Sequence, residues 1–277
     1  MVIGIDIGGT TTDIAGFKSG KVINPITVRA DDPVASAAGA LGKFMEVNSI
    51  SLDQVRVIAT TGVGSGGLLK TLFGIPVVKI DEFTAIGTAG KFLTGLNKAI
   101  VVSMGTGTAI VVVKNNAISH WGGSGVGGGT LMGLSRKILD ISTVETLVEK
   151  ASKGNLQNVD LSVGDMARRD LKNLPASVTA SNFGKISDKA SDNDLALALL
   201  NLVGQTIGLM GIWAARANKL TDIVLLGKLA GIPPMKEITR KVADLYGMKF
   251  HIPRNAGFAT AIGAAIKVDQ NNKTPGH

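Results

Sequence analysis

An apolar run that ends in one carboxylate and then sheds its side chains opens the chain: "VIGIDIGGTTT" carries Asp6 into Gly8, Gly9, Thr10, Thr11 and Thr12. Bare glycine backbone can turn N–H groups toward phosphate oxygens, and threonine hydroxyls add donors. A carboxylate beside a triphosphate would repel it, so a Mg²⁺ between the two is the economical arrangement. The local alternative is a β-hairpin with an Asx-turn at Asp6. Residues 103–108, "SMGTGT", repeat the cradle with Ser103 in the acid's place, which leaves Asp6 as the single acidic metal position. Here Gly105, Thr106, Gly107 and Thr108 would grip phosphates. A third group is "IDEF" at 80–83, where Asp81 and Glu82 follow an apolar strand and precede a helix start. Transfer to a hydroxyl benefits from such a carboxylate as proton acceptor, while acids are also favoured at helix N-termini for electrostatic reasons alone.

These groups need elements to position them. The pattern predicts strands at 2–7, 11–17 and 21–28 with a tight turn at Ser19–Gly20, then a helix over 33–46 with Pro33 at its first position. A strand at 55–60, the glycine-rich "TTGVGSGG", a helix near 67–73, a strand at 76–80 and a helix over 84–93 follow. The order then restarts. Residues 99–120 again read strand, Gly/Thr turn, strand, tight turn at Asn115–Asn116, strand. A shift of 97 residues lays Asp6 on Ser103, Gly8 on Gly105 and Thr11 on Thr108, and Ser19–Gly20 on Asn116–Ala117. Helices near 130–139 and 143–152 precede a long apolar helix over 195–215. A strand at 222–226, a helix at 233–246, a strand at 248–252 and a helix at 257–267 close the second copy. The repeat implies two related α/β domains, 1–98 and 99–277. In such sheets ligands sit beyond the strands' carboxyl ends, where Asp6 and Glu82 fall.

Composition narrows the classes. With 277 residues, 45% hydrophobic, the chain can bury a large core. No cysteine is present, which excludes disulfides, thiolate metal sites and cysteine-held iron–sulfur clusters. The net charge is +8, but the basic residues are scattered and aromatics make up only 4%, so anionic small molecules fit better than nucleic acid. Leu195–Ala215 is long enough to span a bilayer, yet Asn201, Gln205 and Thr206 interrupt it. The expectation is a buried helix whose Gly204 and Gly208 allow close packing, and no membrane partner. The opening residues lack a signal-peptide pattern, which points to the cytoplasm. No GxxxxGK[ST] occurs, and "GSGVGG" at 123–128 has neither a parallel strand before it nor an acid some 20 residues on, so P-loop and dinucleotide folds are disfavoured.

Taken together, "GIDIGGT" (4–10), "IDEF" (80–83), "SMGTGT" (103–108), "GGSGVGGGT" (122–130), "TASNFG" (179–184) and "NAGFATAIGAAI" (255–266) resemble, in order and spacing, the type II pantothenate kinases. The resemblance implies a duplicated ribonuclease-H-like fold of the actin-like ATPase and sugar-kinase superfamily, with nucleotide between the domains. It further implies a homodimer that uses ATP and Mg²⁺ to phosphorylate the primary hydroxyl of pantothenate, the first committed step to coenzyme A. By position, Asp6 matches the metal-associated acid and Glu82, not Asp81, the catalytic base. ATP contacts would come from Gly8, Gly9, Thr10, Gly105, Thr106, Gly107 and Thr108, with Gly125, Gly127, Gly128 and Gly129. Ser103, His120 and Gly122 would line the acceptor side.

Two departures stand out. Family members carry an Arg that grips the pantothenate carboxylate, where this chain has His120. Trading a bidentate fork for one donor costs roughly 1.5–3 kcal/mol of carboxylate binding, which leaves a different hydroxyl acceptor such as pantetheine open. Lys228 stands where the family usually has small or apolar residues, and its ammonium could meet either nucleotide phosphate or solvent. Two other classes are a nucleotide-driven activator of CoA-ester dehydratases, which would need cysteines for its cluster, and a non-catalytic regulator binding acyl-CoA. Retention of Asp6 and Glu82 argues against the second, while acyl-CoA remains a possible feedback ligand.

Overall fold

Strand β1 (Val2–Ile7) is buried on both faces, with only Asp6 partly open, so helices must cover it from two sides. One face, Ile3, Ile5 and Ile7, packs with Ala37, Leu41 and Phe44 of helix α1 (Pro33–Asn48). The other meets helix α8 (Ala259–Asn271), where Gly4 is so close that a Cβ would lie 1.9 Å from the Ala261 carbonyl oxygen. In this computed structural model every residue is described except Thr10, Ala30, Asp31, Val63, 65–69, 168–174 and 273–277.

The remaining elements of the first half are β2 (Thr12–Lys18), β3 (Lys21–Val28), β4 (Val57–Thr61), β5 (Thr71–Leu72), β6 (Ile75–Lys79) and α2 (Glu82–Thr94). The second half contains β7 (Lys98–Met104), β8 (Thr108–Lys114), β9 (Ala117–Ser124), α3 (Gly128–Leu139) and α4 (Val144–Ala151). It continues with β10 (Leu161–Ser162), α5 (Val163–Ala167), β11 (Thr179–Ser181), α6 (Asp192–Ala217), β12 (Asp222–Leu226), α7 (Pro233–Tyr246) and β13 (Lys249–His251). The first sheet runs β3-β2-β1-β4-β6-β5 and the second β9-β8-β7-β12-β13, so the two share one strand order apart from β5. This is the duplicated mixed α/β architecture that the repeat implies.

Two details differ from the sequence expectation. The helix expected near 67–73 falls partly outside the described residues, and Thr71–Leu72 is instead a strand paired with Ile75–Pro76. The cause is the turn: Phe73 and Gly74 both have positive φ (51° and 78°), the conformation of a two-residue hairpin rather than a helix. The repeat also changes offset. Four residues separate Ile7 from its partner Thr12, but only three separate Met104 from Thr108. Beyond the loop the shift is therefore 96, and Ser19 (φ 50°) corresponds to Asn115 (φ 57°), not Asn116.

Helices α2 and α8, which end the two repeats, are exchanged between the sheets. Ile86 and Ala89 of α2 pack with Val101, Val111 and Val113 of the second sheet. Ala261, Ala264 and Ala265 of α8 pack with Val2, Ala15 and Ala59 of the first. The two helices touch at Gly263, where a Cβ would meet the Ala85 carbonyl oxygen at 1.9 Å. The small residues of "NAGFATAIGAAI" thus let one helix lie between a strand and another helix. Gly263→Ala should destabilise the protein by about 3 kcal/mol or more, because backbone rather than a movable side chain blocks the methyl. Urea unfolding measures this, and a loss near that of an ordinary surface substitution would contradict the packing.

Helix α6 is long and apolar enough to cross a membrane by length and composition. It packs among the elements of the second half instead: Gly204 faces Met235 and Ile238 of α7, and Gly211 faces Val102 and Ile223 of the sheet. Its N-terminus carries a capping box between Ser191 and Asp194. Asp194 also accepts from the Asn155 N–H at 2.7 Å and from Asn158 at 3.1 Å, and these bonds together hold its carboxyl at about 2 despite burial.

Candidate active site

Antiparallel pairing of β1 and β2 sets the first carboxylates. Asp6 lies opposite Asp13, so the hairpin presents two acids side by side. The equivalent pair in the second hairpin is Ser103 and Ala109, so negative charge is confined to the first. Asp6 also neighbours Thr61 of β4, whose hydroxyl is buried with no partner. Gly62 (φ 85°) clears room for the carboxylate, since a Cβ there would lie 2.4 Å from an Asp6 oxygen. Thr260 of α8 donates its hydroxyl to Asp6. Burial, then the charges of Asp13 and Glu82, push the Asp6 carboxyl up to about 7, while Lys228 and the Thr260 bond act against that rise.

The two acids of "IDEF" separate by role. Asp81 is the N-cap of α2 and accepts from the Thr84 N–H at 2.8 Å and the Thr84 hydroxyl at 3.0 Å. Glu82, in the first turn, has no such duty. Burial and the neighbouring Asp81 raise its carboxyl above the usual value, and its charge reaches Asp6. Next to it Phe83 stacks on His120 with ring centroids 3.8 Å apart and planes 11° apart. A bulge between β8 and β9 (Ile110 pairs with Gly122, Val111 with His120) leaves Trp121 as the extra residue, exposed beside that stack.

The glycines fall into two groups. Gly128 N–H donates to the Gly105 carbonyl and Gly129 N–H to the Thr106 carbonyl, both at 2.8 Å. Gly127 sits where a Cβ would strike the Thr106 carbonyl oxygen at 2.6 Å. The Thr108 hydroxyl donates to the Val126 carbonyl at 2.8 Å. Gly127, Gly128, Gly129 and Thr108 therefore brace the second hairpin, and their polar groups are already engaged. Gly9 and Gly125 face open space with nothing within 4 Å of an added Cβ, and Gly105 meets only the Gly107 carbonyl oxygen at 3.7 Å. Gly8 closes the first hairpin through its N–H to the Thr11 carbonyl at 3.1 Å. Gly122 is likewise unobstructed, and Thr10 lies outside the described residues.

Sequence reasoning missed Asp13, Thr260 and the reach of Lys228. Lys228 follows Gly227 after β12, and its ammonium lies 3.0 Å from an Asp13 oxygen and donates to the Thr11 hydroxyl at 2.7 Å. The hairpin register alone could have flagged Asp13 as the partner of Asp6. Only the three-dimensional fold brings residues 228 and 13 together.

No cluster of three or more His, Cys, Asp or Glu able to cage a metal occurs among the described residues. Magnesium is commonly held by one or two carboxylates with water and substrate phosphates, and Asp6 beside Asp13 offers that kind of site. Open backbone at Gly9, Gly105 and Gly125 suits a phosphate chain. The residues present fit both groups.

Twin hairpins, one in each of two sheets, with the paired carboxylates on the first, define a duplicated mixed α/β class of fold. Within it the chain belongs to the Fumble family, whose profile matches residues 97–267. It is 28% identical to the type II pantothenate kinase of Bacillus cereus (strain ATCC 14579) over 95% of this chain and 97% of that protein. The Oceanobacillus iheyensis protein of the same name is also 28% identical, over 95% of this chain and 98% of the relative. Among solved structures, the activator of 2-hydroxyisocaproyl-CoA dehydratase from Clostridium difficile with bound ADPNP superposes with a TM-score of 0.69 at 14% identity, covering 100% of this chain and 98% of that one. The ROK hexokinase from Thermus thermophilus gives 0.57 at 16% identity, covering 96% and 97%. These likenesses establish the shared fold.

Proposed function

We propose that the protein transfers the γ-phosphoryl group of ATP to the primary hydroxyl of pantothenate. The observation that carries the reading is Glu82, a carboxylate of raised proton affinity that is free of the capping duty taken by Asp81 and stands within electrostatic reach of Asp6. The relatives named type II pantothenate kinase support the acceptor.

In this reading Glu82 accepts the hydroxyl proton as the oxygen attacks, and its raised affinity suits that task. Asp6, held by Thr260 with Asp13 opposite, would hold Mg²⁺ through water. The ion, when bound, neutralises charge on the phosphates. Gly9 and the loop Gly105–Thr106–Gly107 offer donors to the phosphate oxygens, and Gly127–Gly129 keep that loop in place. His120, stacked on Phe83 beside Glu82, takes the acceptor's carboxylate end, with Ser103 and Gly122 nearby on the same sheet. A cytoplasmic location, a homodimer and feedback by acyl-CoA belong to the same reading.

A coupled ADP-release assay with pantothenate, pantetheine and pantoate tests it. Turnover with pantothenate above the ATP blank is expected, and none would remove the assignment. His120→Arg should lower KM for pantothenate by about tenfold, since a permanently charged fork replaces a single donor, while KM for pantetheine stays unchanged. Equal changes for both acceptors would take His120 away from the carboxylate.

A further inference from the structure

We propose that Lys228 is a mobile phosphate ligand: without nucleotide it bridges the domains to Asp13 and Thr11, and it exchanges both for the terminal phosphates of a bound nucleoside triphosphate. The proposal rests on the kinase reading above and extends it to a residue that the family motifs leave without a role. Asp13 is the positioning residue of the pair.

Three observations carry it. The base of Lys228 is fixed against the second hairpin. Gly227 has φ 90° and no room for a Cβ, which would lie 2.4 Å from the Met104 carbonyl oxygen, and its N–H donates to the Ala256 carbonyl at 2.8 Å. On the other side Gly257 leaves just enough space, since a Cβ there would lie 3.7 Å from the Lys228 Cα and Cγ. The tip crosses to the first hairpin, where Asp13 is nearly buried but the Lys228 side chain remains 45% exposed. A four-carbon stem on a rigid base can swing its charge while the backbone stays still. Charge is also divided between the domains: Asp6 and Asp13 have Ser103 and Ala109 as counterparts, so the first hairpin is acidic and the cation comes from the second domain.

The partners explain why the contact is exchangeable. The Asp13 oxygen that meets Lys228 also accepts from the Thr27 hydroxyl at 2.5 Å, so the carboxylate keeps a donor after the ammonium leaves. A half-exposed ion pair is a weak latch. A terminal phosphate offers several oxygens and more charge than one carboxylate, which favours transfer of the ammonium when nucleotide arrives. Thr11, freed at the same moment, turns its hydroxyl toward the same phosphate chain.

The test uses the full chain with dimethylated lysines and NMR, the Lys228 signal being identified by its loss in Lys228→Arg. Without ligand, Asp13→Asn should shift that signal. With magnesium and a non-hydrolysable ATP analogue, native and Asp13→Asn proteins should give one common Lys228 position, while adenosine moves it in neither. Titration calorimetry should show Lys228→Met weakening ATP by about 10- to 100-fold and adenosine by less than about threefold, the latter also reporting an intact fold. A Lys228 signal that still depends on Asp13 in the presence of the analogue, or unchanged ATP affinity in Lys228→Met, overturns the proposal. If ATP binds and pantothenate is phosphorylated in that case, the kinase reading survives. If ATP fails to bind the native protein, both fall together.

Discussion

Glu82→Gln is expected to lower kcat by about 10²- to 10⁴-fold with ATP affinity within threefold of native, because the change deletes a proton acceptor and keeps the shape. The neighbouring acid provides the contrast. Asp81→Ala removes the cap bonds to Thr84 and should cost about 1 kcal/mol of stability with kcat nearly intact. Because burial and Asp81 raise the Glu82 carboxyl, the acid limb of the native kcat/KM profile should sit above the ordinary glutamate range, and Glu82→Gln should abolish that limb. Pre-steady-state phosphoryl transfer measures the chemical step directly. Comparable losses in both variants would mean that the helix start, not a base, is what matters.

Asp6→Asn should abolish magnesium-dependent turnover yet stabilise the nucleotide-free, magnesium-free protein. The native carboxyl is raised from 3.8 to about 7, so the folded state binds a proton more tightly than the unfolded chain. That contribution is complete below pH ~4 and disappears as pH rises through ~7, where the carboxylate ionises among Asp13 and Glu82. The linkage limit of about 4 kcal/mol is halved to about 2 because solvent reaches the carboxylate in the cleft. Asparagine carries no charge at any pH, so Tm should rise by about 5 °C at pH 8 and by nothing near pH 4. Added magnesium with ATP should erase the native protein's deficit and leave the variant unmoved. A variant less stable than native at pH 8 would show that the Asp6 charge is already compensated without ligand.

Much of the architecture was legible because both repeats announce themselves in apolar strands, Gly/Thr loops and turn residues. The limits appear at particular residues. Phe73–Gly74 turned an expected helix into a hairpin, since positive φ at a Phe is not visible in an apolar pattern. One residue fewer in the second loop moved the offset from 97 to 96, which hid the match of Asp13 to Ala109. Gly127, Gly128 and Gly129 read as ligand contacts because glycine marks any close backbone approach, and here Gly128 and Gly129 approach the neighbouring hairpin. Lys228 and Thr260 meet the first hairpin across more than 200 residues of chain, a separation over which periodicity carries no information. Nearby spacing told Asp81 from Glu82 only through resemblance, and the cap geometry supplies the physical distinction.

The exchanged helices also constrain how a nascent chain matures. The first sheet cannot hide its Val2, Ala15 and Ala59 face until Ala259–Asn271 has left the ribosome, nearly the whole length after β1 was made. During that interval the opening strands form at best an uncovered layer, attractive to chaperones and to neighbouring chains. The first sheet is therefore sealed by a helix made more than 250 residues after β1, and ribosome-stalled lengths short of residue 259 should stay protease-sensitive in their first hundred residues.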